Sequence, residues 1–262
     1  MGLSGTPGGP FSCRGRRPTA IDLDCVPVIT GEELEERLAA VRGAIERAAD
    51  RAGRDPDRVE VLPVTKGHPV ELLRAVADAG LPAVGENRVP EARAKQLVLG
   101  SRLGLRWHLI GHLQRNKAGP AIDGFDVIES VASTRLANRL SKVAQERERI
   151  VEVLVQVNVS GEDAKSGVRP DDAVASVREM CALPRLRLTG VMTMAPFTSD
   201  EATLRATFAG ARRLMERCAD EVEGFEPFHL SMGMSNDFAI AVEEGATRLR
   251  LGTTLFGERP TP

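Results

Sequence analysis

No tyrosine occurs among the 262 residues; tryptophan occurs once and phenylalanine eight times. A chain this poor in aromatics has no stacking platform for single-stranded nucleic acid and no phenol to act as acid or base. Charge argues against nucleic acid by a second route. The 35 Lys+Arg nearly balance the 37 Asp+Glu, leaving a net charge of -2, with no bulk attraction to nucleic acid or anionic membranes. No apolar run approaches the ~18 residues needed to span a bilayer. The four cysteines, Cys13, Cys25, Cys181 and Cys218, include no CxxC pair. That pattern excludes a disulfide framework and a zinc site and fits a reducing, cytoplasmic location. Lysine is also scarce. Only Lys66, Lys95, Lys117, Lys142 and Lys165 occur, and arginine fills the basic role elsewhere.

What is present is an ordinary soluble composition, 42% hydrophobic and 27% charged. Residues 1–28, rich in Gly, Pro, Ser and Arg, read as a disordered tail without the apolar core of a secretory signal. Residues 29–262 read as one domain. Thr30 and Glu33 form a capping-box pattern, and Leu34, Leu38, Val41, Ile45, Ala48 and Ala52 recur at helical spacing up to Gly53. Beyond it, short apolar runs at 59–66, 83–87, 106–111, 126–131, 151–158, 187–194, 228–232 and 248–252 alternate with helical patterns at 69–79, 89–99, 133–148, 170–182, 200–221 and 236–244. Alternating β and α units imply a parallel sheet. Eight of them in this length imply an α/β fold of the (β/α)8 TIM-barrel kind, with the first helix outside near the seam. The alternative is an open doubly wound sheet, but no Gly-rich dinucleotide fingerprint follows the first strand.

A barrel collects chemistry at the C-terminal ends of its strands. Lys66 ends the first apolar run in Val61-Leu62-Pro63-Val64-Thr65-Lys66, before Gly67-His68-Pro69. Unlike arginine, lysine forms a Schiff base when its amine is desolvated or near other cations. A solvated strand-end lysine is the plain alternative. Glu86 and Asn87 end the second run. His108, Gly111 and His112 lie at the third, Gln156 and Asn158 at the fifth, Met192 to Ala195 at the sixth. Ser231-Met232-Gly233-Met234-Ser235-Asn236 and Gly252-Thr253-Thr254 follow the seventh and eighth, where such barrels hold a phosphate. Caps and turns are the alternative for those two segments. Arg250, two residues before Gly252, faces the same side. It suits either a pyridine nitrogen or an ion pair with Glu86 or another buried acid. Lysine, phosphate loops and arginine together fit pyridoxal 5'-phosphate (PLP).

Val64-Thr65-Lys66, Gly85-Glu86-Asn87, Trp107-His108-Leu109-Ile110-Gly111 with Leu113-Gln114-Arg115-Asn116-Lys117, Val155-Gln156-Val157-Asn158 with Lys165-Ser166-Gly167, Leu230-Ser231-Met232-Gly233-Met234-Ser235-Asn236-Asp237 and Arg250-Leu251-Gly252-Thr253 stand in an order that resembles the pyridoxal phosphate homeostasis protein family. The resemblance covers about residues 31–259. It implies a single barrel like the N-terminal domain of alanine racemase, covalently bound PLP, and a role in vitamin B6 and amino-acid homeostasis. By the resemblance, Lys66 is the Schiff-base lysine. Ser231, Met232, Gly252 and Thr253 bind phosphate, Arg250 faces the pyridine nitrogen, and Asn87 and His108 lie in segments lining the pocket. His112 departs from a common proline, and Arg88 and Pro90 from Tyr and Gln, beside the lysine rather than in the phosphate loops.

Two functions follow from these residues. One is a non-catalytic carrier, expected as a monomer, that holds PLP and passes it to PLP-dependent apoenzymes. The other is a PLP-dependent amino-acid racemase. Arginine opposite the ring nitrogen weakens the electron sink, and a two-base racemase needs a second acid/base, for which His108 or His112 could substitute in a chain without tyrosine. A sugar-phosphate barrel enzyme would use the same loops without needing Lys66 as a Schiff base.

Overall fold

A capping box starts the first helix, as the sequence pattern requires. The Glu33 N–H donates to Thr30 Oγ1 at 3.2 Å, and the Thr30 N–H donates to Glu33 Oε2 at 2.9 Å. Helix α1 (Gly31–Arg51) buries Leu34, Leu38, Val41, Ile45 and Ala48. Each of its large aliphatic side chains contributes about 1.5–3 kcal/mol by leaving water. Gly53, at φ 62°, then carries the chain away.

The computed structural model describes residues 29–100, 103–162 and 166–258. The proposed tail at 1–28, with Cys13 and Cys25, and the motif residue Lys165 lie outside them. After α1 come β1 (Glu60–Pro63), α2 (Leu72–Asp78), β2 (Ala83–Glu86), α3 (Val89–Leu99) and β3 (Arg106–Leu109). Then follow α4 (Ala118–Gly124), β4 (Val127–Val131), α5 (Thr134–Glu146), β5 (Val151–Gln156), α6 (Ala173–Cys181) and β6 (Leu186–Met192). The last elements are α7 (Glu201–Glu221), β7 (His229–Ser231), α8 (Phe238–Glu243), β8 (Arg248–Leu251) and the short α9 (Thr253–Phe256).

All strand pairs are parallel, in the order β1-β8-β7-β6-β5-β4-β3-β2. The two ends meet through a bridge between Val64 and Gly85, where the Thr65 N–H donates to Gly85 O at 3.1 Å. The sheet therefore closes into the expected (β/α)8 barrel. Helix α1 packs on α8 and α9 beside the β8–β1 junction, and Arg37 Nη1 donates to Leu255 O at 3.2 Å.

One apolar shell lies between the sheet and the helices. Inside the barrel are two smaller apolar groups, Leu62 with Val64 and Ile110, and Val127 with Leu154 and Met192. The rest of the lumen is polar and buried: His108, Glu129, Ser231, Arg248 and Arg250. Among the described residues, no helix is long and apolar enough to cross a membrane.

Two local features depart from the sequence pattern. Helix α4 was not expected, because Ala118-Gly119-Pro120-Ala121-Ile122-Asp123-Gly124 contains two glycines and a proline, all poor helix formers. It forms because Ala118, Ala121 and Ile122 are buried in the outer shell. Strand β1 ends at Pro63, so Lys66 stands in a turn beyond the strand and not at its last residue.

Candidate cofactor site

Parallel pairing puts the C-terminal ends of all eight strands at one end of the barrel; of the expected site residues, Lys66, Asn87, Met232, Gly252 and Thr253 follow those ends, whereas His108, Ser231 and Arg250 lie within β3, β7 and β8. Lys66 and Gly67 occupy the middle of a tight turn. The His68 N–H donates back to Thr65 O at 3.1 Å, and Gly67 adopts φ 72°. A β-turn with positive φ at its third residue needs glycine there, so Gly67 fixes how Lys66 is presented. Lys66 is half-buried.

Asn87, just after β2, is half-buried as well. Its backbone lies so close to Gly111 that a Cβ on Gly111 would stand 2.1 Å from Asn87 O. Gly111 O accepts a bond from Ser130 Oγ at 2.7 Å, which locks the β3 exit against β4. Gly252 sits against β1, where an added Cβ would lie 3.3 Å from Val64 O. Thr253 opens α9 and is exposed.

The loop after β7 meets the loop after β8 at one bond: the Thr254 N–H donates to Ser235 Oγ at 3.1 Å. Ser235 is half-buried. Ser231 is placed otherwise. It is fully buried, its hydroxyl donates to Glu129 Oε2 at 2.5 Å, and it accepts from Arg250 Nη1 at 2.7 Å. A hydroxyl spent in this way, with no exposed surface, is not offered to a phosphate above it. Met232 is also fully buried in the outer shell, and its N–H donates to Arg248 O at 3.1 Å.

Arg250 lies within the barrel below these loops. Its second contact is Nη2 to Thr193 O at 2.7 Å. Burial lowers its pKa, opposed by the charges of Glu129 and Asp237. Glu86 is not its partner. That carboxylate instead bonds Lys95 Nζ at 2.6 Å on the α3 side, and burial raises its pKa, with the Lys95 charge opposing.

His108, expected among the pocket-lining segments, points into the lumen. It is buried, Nδ1 donates to Glu129 Oε1 at 2.7 Å, and its ring reaches a 490 Å³ cavity at the opposite, N-terminal end of the barrel. Glu60 and Arg248, paired at 2.9 Å, line that cavity together with Arg106, whose own partner is Glu152 at 3.1 Å. Conservative barrel logic assigns that end to stability. His112 is exposed at the site end, 3.2 Å from Ser166 Oγ.

Glu129 joins these parts, and sequence reading did not single it out. It touches His108, Ser231 and Arg248. Burial alone would raise its pKa, but the His108 bond and the charges of Arg248 and Arg250 pull it down to about 2. An acid in the middle of an apolar run (Val127-Ile128-Glu129) was the available signal, because a lone carboxylate is costly in a core without partners.

The family model for the alanine racemase N-terminal domain matches residues 37–260. The pyridoxal phosphate homeostasis protein of Pseudomonas aeruginosa is 42% identical over 226 residues, covering 86% of this chain and 96% of that protein. The Aquifex aeolicus protein of the same name is 39% identical over 224 residues, covering 86% and 97%. PipY of Synechococcus elongatus, solved with PLP bound, aligns with a TM-score of 0.76 at 38% identity, covering 86% of this chain and all of that one. Alanine racemase of Clostridium difficile, at 16% identity, TM-score 0.68 and 88% of this chain against 57% of that one, shares the fold. The chain belongs to the pyridoxal phosphate homeostasis protein family, built on the alanine racemase N-terminal barrel.

Proposed function

We propose that this barrel holds PLP as a Schiff base on Lys66 and serves PLP and amino-acid homeostasis in the cytoplasm, without substantial turnover, as a monomer that passes the cofactor to PLP-dependent apoenzymes. One observation carries the reading: a relative solved with PLP bound is 38% identical over its full length, and Lys66 stands in the turn after β1, at the barrel end that carries the phosphate-type loops.

The donor set fits the cofactor. Lysine supplies an amine, Arg250 a fixed cation beneath the loops, and the two loops hydroxyls and backbone N–H groups. When bound, PLP supplies an aldehyde that condenses with an amine and a ring that withdraws electrons from it. Ser235, Gly252 and Thr253 hold the phosphate in this reading, with Ser235 replacing Ser231, whose hydroxyl is spent below. Met232 contributes to the shell behind the loop. Asn87 and Arg250 would hold the ring, with Arg250 as the partner of its nitrogen. An arginine there stays charged and keeps that nitrogen unprotonated, which blunts carbanion stabilisation. His108 acts inside the barrel, on Glu129 rather than on the cofactor. His112 is left as the histidine exposed at the site end.

The test is the visible spectrum of purified protein with PLP, before and after borohydride. The expected result is an imine band that borohydride removes, with the pyridoxyl mass on the peptide containing Lys66 and no band in Lys66→Ala. A pyridoxyl mass on another lysine sinks the assignment.

A further inference from the structure

Lys95 is one of the five lysines and lies on the inner face of α3, buried together with Glu86. Its Nζ donates to Glu86 Oε1 at 2.6 Å, to Thr65 O at 2.7 Å and to Glu91 Oε1 at 3.2 Å. Glu91 Oε1 also accepts the Gly67 N–H at 2.5 Å, and Glu86 Oε1 accepts the Thr65 hydroxyl at 2.7 Å. Thr65 and Gly67 are the residues on either side of Lys66. One ammonium therefore grips the carbonyl before Lys66 directly, and the N–H after it through Glu91.

An ammonium has three hydrogens, and all three are used here. Thr65 O takes two of the turn's bonds, from Lys95 and from the His68 N–H. Glu86 Oε2 is the one buried side-chain N or O atom among the described residues that lacks a partner. An orphaned carboxylate oxygen in a core is costly. The cluster keeps this carboxylate because its other oxygen anchors both Lys95 and Thr65.

We propose that Lys95, with Glu86 and Glu91, is the positioning group for Lys66: it locks the Thr65–His68 turn so that the Lys66 amine is held toward the cofactor's aldehyde. This rests on the reading of Lys66 given above. The step it serves is condensation of that amine with the aldehyde, which forms one C=N bond and releases one water. Lys95 itself touches neither group.

The test uses the full chain with Lys95→Met/Glu86→Gln, which removes the pair without leaving a lone buried charge, and Glu91→Ala, which cuts only the Gly67 tether. Amide exchange is followed on ligand-free protein. We expect exchange in the Lys66–His68 peptide to rise about tenfold or more in both variants, with β4–β6 unchanged. Imine formation with PLP should slow by roughly ten- to a hundredfold in the double variant, since small misplacements of a reacting group cost that much. Pyridoxine 5'-phosphate, which has no aldehyde, should bind both variants within about threefold of the parent, because the phosphate loops are untouched. Unchanged exchange in the turn overturns the proposal, and so does an equal loss of pyridoxine 5'-phosphate and PLP. A parent protein that forms no imine refutes the assignment of Lys66, whereas the exchange result on ligand-free protein still decides whether Lys95 locks the turn.

Discussion

Ser231 and Ser235 are four residues apart, one ending β7 and the other in the loop after it, and look equivalent in the sequence, yet their surroundings assign them different work. Ser231 links Arg250 to Glu129 inside the barrel, and Ser235 receives the Thr254 N–H at the mouth. Ser235→Ala is expected to narrow the affinity gap between PLP and pyridoxal by about tenfold or more, the value of one charge-assisted bond. Ser231→Ala should leave that gap unchanged and destabilise the fold by about 1–3 kcal/mol, as two buried charged groups lose a partner. Binding titrations with both compounds check this, and a gap narrowed by Ser231→Ala returns the phosphate to Ser231. Glu129 gives a pH signature. Its folded pKa of about 2 lies below the ordinary value of 4.5, so its stabilisation is complete above 4.5 and is lost as pH falls toward 2. The shift corresponds to about 3 kcal/mol for this fully buried group. Denaturant melts of wild type and Glu129→Gln should converge over that window. A constant difference between them from pH 5 to 2.5 would mean that Glu129 is not charged in the fold.

At the scale of elements, strand ends decide the site. Periodicity read β1 as reaching Lys66, but the ladder stops at Pro63 and the Val64 bridge, and the lysine rides a turn. Apolar alternation cannot mark where a strand leaves its ladder, because Thr65 remains buried beyond the Val64 bridge. Helix α4 shows the converse: propensity argues against it, and packing of Ala118, Ala121 and Ile122 makes it. The β3 exit depends on the absence of a side chain. Gly111→Ala would drive a methyl to 2.1 Å from Asn87 O, so the β2 and β3 exits must part. The expected cost is about 1–3 kcal/mol or more, the range for forced overpacking and its backbone shifts, and PLP binding should weaken along with it. Thermal melts and a PLP titration check this. Unchanged stability would show that the two exits are not in contact.

The whole molecule is a closed barrel whose lumen is charged where many barrels are filled with aliphatic side chains. Glu129 from β4 links His108 from β3 and Arg248 from β8 directly and Arg250 from β8 through Ser231, so the lumen ties Arg250 in place below the loops. In the function proposed above, a cation so held disfavours carbanion chemistry. Exchange of the α-proton of L- and D-amino acids in deuterated buffer should fall far below the roughly 10 s⁻¹ of a median enzyme. Exchange with inversion near that rate, lost in Lys66→Ala, would support the racemase reading and put His112 first as the second base. The sequence by itself determined the eight strands, the first helix with its cap, six of the later helices, and the set of polar segments near strand ends, because periodicity and capping are local and chain order fixes which ends are alike. Only the tertiary structure decided which polar residues stay at the barrel mouth and which face one another. Ser231 and His108 both satisfy Glu129, which is distant from each in the chain, and these partners come together only when the strands assemble into the barrel.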